Sequence, residues 1–181
     1  MTFAKLVLAA LERLLPVHEA SAHCDIPCGI YDPHAAQLGA LTVIRMFQLI
    51  DALEQPGPNA TKEERAAYVS SVSRYVAIKE EHAGLCKKEV LILWTDYFKP
   101  EHLENHPELH QLVWETTKLC STVKQEMNAK AAQELLAGVQ KIAQIFWATK
   151  GVSTRRQPSL QPPGGELVYP EPKQETRQAA A

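Results

Sequence analysis

The chain has 181 residues, a formal net charge of −2 and a pI near 6.4, with 45% hydrophobic and 22% charged side chains. That length suits one domain with one core, and that balance describes a globular protein rather than a disordered or fibrous one. No basic field is present to draw nucleic acid or anionic lipid, and charges such as Glu12 and Arg13 interrupt every apolar run before it reaches the roughly 18 residues of a membrane helix, so neither partner is expected.

Residues 1–22 have the outline of a leader: an apolar stretch from Leu6 to Leu11, the pair Glu12-Arg13, Pro16, then the small run Ala20-Ser21-Ala22. The last three fit the cleavage rule of a secretory signal, yet the apolar stretch is only about six residues where about 7–15 are usual. An amphipathic helix with Val7, Leu11, Leu14 and Leu15 on one side is the plainer rival. The four cysteines, Cys24, Cys28, Cys86 and Cys120, are too few and too uneven for a disulfide scaffold, so a reducing, cytoplasmic setting is expected.

From Asp32 the pattern turns helical, with Asp32 as a candidate N-cap and Pro33 as a first helical residue, where its missing N–H is harmless. Ala40, Val43, Phe47 and Ile50 mark the first helix, which stops before Pro56-Gly57-Pro58. Thr61 and Glu64 spell a capping box for a longer second helix. Its seam of Val69, Val72, Val76, Ala83, Cys86, Val90 and Leu93 is broken only by Lys79 and wants partner helices. Lys99-Pro100 and Pro107 separate it from a third helix carrying Leu109, Leu112, Thr116, Leu119 and Val123. Asn128 turns the chain into a fourth, with Leu135, Val139, Ile142 and Phe146, closed by Gly151. Four helices, short connections and no strand signal predict an all-α, up-and-down four-helix bundle over residues 32–151. Residues 152–181 are rich in Pro, Gln, Gly and Glu and read as a flexible tail, within which Leu167-Val168-Tyr169 could dock locally.

The chemistry-bearing segment runs from His23 to Tyr31, between leader and first helix: His23-Cys24-Asp25-Ile26-Pro27-Cys28-Gly29-Ile30-Tyr31. A Cys-x3-Cys pair alone is equally a disulfide, a zinc half-site or two unrelated thiols. Cleavage before His23 would add an α-amine and an imidazole to the two sulfurs. Two thiolates and two nitrogens in one plane suit nickel(II) or copper(II), whereas zinc prefers a tetrahedron. Pro27 offers a place for the chain to reverse, and Gly29 is expected to relieve crowding. His102, His106 and His110 are spaced by four, but Pro107 interrupts them, and no Glu-x-x-His pair of a di-iron bundle is present. Cys86 and Cys120 fall on helix seams and read as small buried hydrophobes.

The segment from His23 to Pro33 resembles the nickel hook of the nickel superoxide dismutases almost residue for residue. Leu93-Trp94-Thr95-Asp96-Tyr97-Phe98-Lys99-Pro100, Pro107-Glu108-Leu109-His110-Gln111-Leu112-Val113 and Ile145-Phe146-Trp147-Ala148-Thr149-Lys150 are similar to further segments of that family, in the same order. The resemblance covers residues 23–150. It implies a helical subunit, assembled as a homohexamer, that disproportionates superoxide by cycling one nickel ion between Ni(II) and Ni(III). On this resemblance His23 ligates through its amine and imidazole, Cys24 through its amide nitrogen and thiolate, and Cys28 through its thiolate. Tyr31 stands beside the metal, and Asp25 and Tyr97 shape the same pocket. The leader acquires a role too, because an uncut chain lacks the His23 amine; a maturation protease cutting before His23 is therefore implied. On the resemblance, the family's acidic and arginine partners of the axial imidazole fall at Gly39 and His82 here, so that either another residue such as Glu80 or Glu81 takes over or the axial bond is weaker. A non-catalytic nickel or copper carrier on the same hook is the rival reading.

Overall fold

The computed structural model describes residues 29–171, so the leader and most of the hook lie outside the described residues. The chain is mostly helical, with one small two-stranded sheet. Its elements are α1 (His34–Asp51), α2 (Lys62–Ile92), a π-helical turn (Leu93–Tyr97), α3 (Pro100–Asn105), α4 (Leu109–Gln125), α5 (Ala129–Thr149), β1 (Ser153–Pro158) and β2 (Glu166–Glu171).

Local signals in the sequence explain most of the helix ends. The Asp32 carboxylate accepts the His34 N–H at 2.7 Å, satisfying an orphan donor at the start of α1. The capping box of α2 is complete: Thr61 Oγ1 accepts from the Glu64 N–H at 3.2 Å and the Glu64 carboxylate accepts from the Thr61 N–H at 2.8 Å. Asn128 does more than turn the chain, because its side chain caps α5 by accepting the Ala131 N–H at 3.0 Å. At the far end Gly151, with φ +69°, donates to Ala148 O while Val152 donates to Trp147 O, the pair of bonds of a Schellman motif.

The four long helices pack in a closed cycle: α1 on α2, α2 on α4, α4 on α5 and α5 back on α1. The core between them holds Val43, Phe47, Cys86, Val90, Leu109, Cys120, Leu135, Ile142 and Phe146. Two expectations are corrected here. The buried seam of α2 starts at Lys79, not at Val69, which is 60% exposed, and Lys79 itself belongs to it at 3%. Its ammonium donates to Lys124 O at 3.2 Å and lies 5.2 Å from the centre of the Phe47 ring. The charge thus serves carbonyls at the end of α4 that have no intrahelical donor.

The second correction concerns the tail. Residues 153–171 form an antiparallel hairpin whose register runs from Ser153 opposite Glu171 to Pro158 opposite Glu166. Leu167 and Val168 are buried in it at 1% and 2%. Gln37 on α1 fastens β2 with two bonds, donating to Val168 O at 3.0 Å and accepting the Val168 N–H at 2.7 Å. Gln140 on α5 donates to Glu166 O at 2.7 Å. Docking on α1 and α5 supplies the burial that the tail's own composition does not. The local docking expected of Leu167-Val168-Tyr169 is where this packing centres.

Candidate metal centre

Gly29 and Ile30 bring the chain out of the hook into α1, and Gly29 takes φ +83°. Among the described residues a Cβ at Gly29 would meet nothing within 4 Å, and the crowding it was expected to relieve lies in the hook, outside the described residues. His23, Cys24, Asp25 and Cys28 lie outside the described residues. Tyr31 and Tyr97, two of the pocket residues implied by the resemblance, are brought together: their ring centres are 5.6 Å apart at 57°.

The π-helical turn is what aims Tyr97. Leu93 O accepts from Phe98 N at 2.9 Å, one residue further along than an α-helix would have it, and this widened turn swings Tyr97 off the line of α2. The Tyr97 ring then rests 4.5 Å from the Phe146 ring and stacks on His102 at 5.6 Å and 22°. Its hydroxyl lies 2.7 Å from Thr149 Oγ1, and Thr149 in turn donates its single proton to Phe146 O at 2.7 Å. Tyr97 is therefore the donor of that pair, which leaves its oxygen able to accept. Lys150 places its ammonium 5.4 Å from the Tyr97 ring centre and 4.7 Å from that of Phe146. Thr149 and Lys150 were not singled out from sequence, although both lie in the last of the matched segments.

Gly39 and His82 also meet, but not as ligands meet. A Cβ on Gly39 would stand 3.1 Å from both Cys86 Cβ and His82 O, so α1 and α2 cross there almost backbone to backbone. The His82 ring pairs within its own helix, Nδ1 lying 3.0 Å from Ile78 O. Both residues line a cleft of about 440 Å3, whose lining also includes Arg45. Glu80 and Glu81 are exposed and do not line it. His102, His106 and His110 do not gather: His102 Nδ1 accepts from Lys99 N–H at 3.1 Å, His106 ends α3, and His110 packs on Trp94 at 5.4 Å. No group of three or more metal-binding side chains is assembled among the described residues.

The donor set of the hook, two thiols and an imidazole within six residues, has the soft, nitrogen-and-sulfur character that binds nickel. Known proteins agree with that chemistry. The family model described as nickel-containing superoxide dismutase matches residues 18–150. The nickel superoxide dismutase of Streptomyces coelicolor is 39% identical over 141 residues, covering 77% of this chain and 98% of its own. That of Streptomyces seoulensis is 39% identical over 143 residues with the same coverage. A solved structure of native nickel superoxide dismutase superposes with a TM-score of 0.60 at 38% identity, covering 71% of this chain and 99% of its own. One with nickel ligation in the oxidised state gives 0.61 at 36%, with the same coverage. With the family match spanning the hook and all four long helices, the chain belongs to the nickel-containing superoxide dismutases.

Proposed function

We propose that this chain disproportionates superoxide to oxygen and hydrogen peroxide at a nickel ion held by His23, Cys24 and Cys28 once residues 1–22 are removed. The observation that carries the reading is the contact of Tyr31, just past the hook in sequence, with Tyr97, in a chain that the family model matches over residues 18–150. When bound, nickel supplies the one-electron couple by alternating between Ni(II) and Ni(III). The protein supplies access, charge and protons. Tyr31 and Tyr97 wall the approach with aromatic rings, which admit a diatomic anion and hinder larger molecules. Lys150, beside Tyr97, gives the approach a positive charge that favours an anionic substrate. The Tyr97 oxygen accepts hydrogen bonds because its proton is committed to Thr149. Asp25 contributes to the same pocket. The four long helices are arranged up and down as a four-helix bundle, and six such subunits assemble in the cytoplasm. The buried free thiols Cys86 and Cys120 fit a reducing compartment.

The test is to prepare residues 23–181 with a free His23 amine, load nickel, and measure superoxide removal beside Cys28→Ser and beside the uncut chain. Activity confined to the trimmed parent, with a rhombic Ni(III) signal, is the expected outcome. Equal activity of the uncut chain would defeat the maturation role of the leader, and bound nickel that transfers to chelators without dismutation would favour the carrier.

A further inference from the structure

The C-terminal hairpin lies past residue 150, where the family match ends, yet it is fastened to the body of the protein. Residues 163–169 run alongside α1 in the opposite direction. Tyr169 packs on His34 with ring centres 5.7 Å apart at 42°, Val168 bonds to Gln37 through both backbone groups, and Pro163 O accepts from Gln48 Nε2 at 3.2 Å. On the same strand Glu166 O accepts from Gln140 on α5, and Leu167 and Val168 are buried. The Tyr169 ring is thus carried on backbone that side chains of α1 and α5 hold in place. His34 is where such a hold has most effect. It opens α1, and the first turn of a helix has N–H groups with no intrahelical acceptor, so it frays unless other groups secure it. Gly29 and Ile30, which lead from the hook into that turn, are exposed, Ile30 at 75%. Two ring contacts add to the cap that Asp32 supplies: Tyr31 on Tyr97 of the π-helical turn, and His34 on Tyr169 of β2.

We propose that Tyr169 is a positioning residue for the hook: its ring, carried by the hairpin, clamps His34 and so fixes the first turn of α1, to which the hook is joined in sequence. Cys28 lies three residues before Tyr31 and six before His34, so a first turn that rocks or unwinds gives the last hook sulfur a wider range of positions. Two thiolates and two nitrogens in one plane tolerate little of that, because each donor must keep its distance and angle to the ion. An aromatic contact shifts such an equilibrium by a factor of about three to ten. Tyr169 acts through His34 and needs no contact with the ion. The proposal rests on the nickel reading only for what the hook holds. The clamp on the first turn stands on the ring contact and on the strand that carries it.

The test compares Tyr169→Ala, which removes the ring, with Tyr169→Phe, which keeps it, and with His34→Ala. Amide hydrogen exchange is read first, by nuclear magnetic resonance on the metal-free full-length chain. Tyr169→Ala should speed exchange of the His34 and Gln37 amides, whose acceptors are the Asp32 carboxylate and Pro33 O, by about three- to tenfold, with the second half of α1 unchanged. In the chain trimmed before His23, nickel affinity measured by competition with a chelator should fall by a similar factor, and the rhombic Ni(III) signal should broaden. Tyr169→Phe should match the parent in every readout. His34→Ala should reproduce Tyr169→Ala, and the double variant should lose no more than either single one. Unchanged exchange at His34 and Gln37 in Tyr169→Ala overturns the proposal, and so does a rise spread evenly over α1, which would mark a general loss of stability. Faster exchange at the first turn with nickel affinity equal to the parent's overturns it as well. Faster exchange there in a chain whose parent binds no nickel upholds the clamp and counts against the nickel reading alone.

Discussion

Tyr31, three residues past the last hook cysteine, and Tyr97, on the π-helical turn after α2, face each other with ring centres 5.6 Å apart at 57°. Residues 66 positions apart in sequence thus form one aromatic pair. The Tyr97 hydroxyl is tied to Thr149, and through it to the end of α5, so the position of that pair depends on both helix ends.

Tyr97→Phe removes that tie and leaves the ring contacts in place. The expected cost is about 1 kcal/mol of stability, read as a lower melting temperature. Superoxide removal, followed by pulse radiolysis, should fall by about three- to tenfold, the range of a comparable change in barrier. An unchanged melting curve and unchanged rate would show that the bond to Thr149 positions nothing.

Gly29 carries the chain from hook to helix at φ +83°. Gly29→Ala places a Cβ in open space yet forces an L-residue into the left-handed region, at roughly 1–2 kcal/mol. The strain falls next to the proposed ligand Cys28 in sequence, and Gly29 itself is exposed. Nickel affinity measured by competition should therefore drop while the melting temperature of the metal-free protein barely moves.

Lys79 gives a pH dependence with a definite sign. Burial lowers its pKa from 10.5, opposed by the nearby Glu80 carboxylate. Between the lowered value and 10.5 the unfolded chain binds more protons than the folded one, so this group adds stability as pH rises through that window and is least favourable below it. At pH 7 Lys79→Met should still cost about 1–3 kcal/mol, because it strips Lys124 O of its donor. Denaturant titrations from pH 7 to 10 should show the margin of the parent over Lys79→Met widening. A constant margin would mean that Lys79 titrates as an ordinary lysine.

Features written in neighbouring residues were legible in the sequence. The Thr61 and Glu64 capping box, the glycine stop at Gly151 and the seam of α5 depend on spacings within a turn or two, and each is in place; the seam of α4 is in place at Leu109, Thr116 and Val123, with Val113 and Cys120 buried where Leu112 and Leu119 were expected and those two half-buried. Features that depend on a distant partner were not. Lys79 interrupts the apolar repeat of α2, and only the approach of the end of α4 makes a charge suitable there. The hairpin was hidden for the same reason: Ser153–Pro158 has no apolar alternation, and β2 becomes a strand because Gln37, 131 residues earlier, pairs with both backbone groups of Val168. Lys150 is a further case: its ammonium lies over the rings of Tyr97, Phe146 and Trp147, a grouping that spacing alone does not reveal.

Gln37→Ala tests whether that one side chain anchors the hairpin. Both polar groups of Val168 lose their partner in a buried position, at about 1–3 kcal/mol each before any relaxation. The hairpin should detach before the helices unfold, and trypsin should then cut at Arg155 and Arg156 well before the core yields. If cleavage there matches that of the parent, the apolar contacts of Leu167 and Val168 are sufficient to hold the strand.

The contact between Gly39 and α2 limits which side chains that position accepts. An acidic side chain there would bring a carboxylate into the cleft beside His82. Yet even a Cβ there comes 3.1 Å from Cys86 Cβ and from His82 O, and the latter is backbone that cannot swing aside. Gly39→Ala should therefore cost about 1–3 kcal/mol by overpacking, and Gly39→Glu more, since its stem must first part α1 from α2. Arg45, on the rim of the same cleft, has no such constraint. Arg45→Glu should leave the melting temperature within a degree or two of the parent, as surface changes do. Melting curves of the three variants decide the matter: a Gly39→Glu protein as stable as the parent would mean that the crossing opens freely, and that the glycine is not required by the packing of α1 on α2.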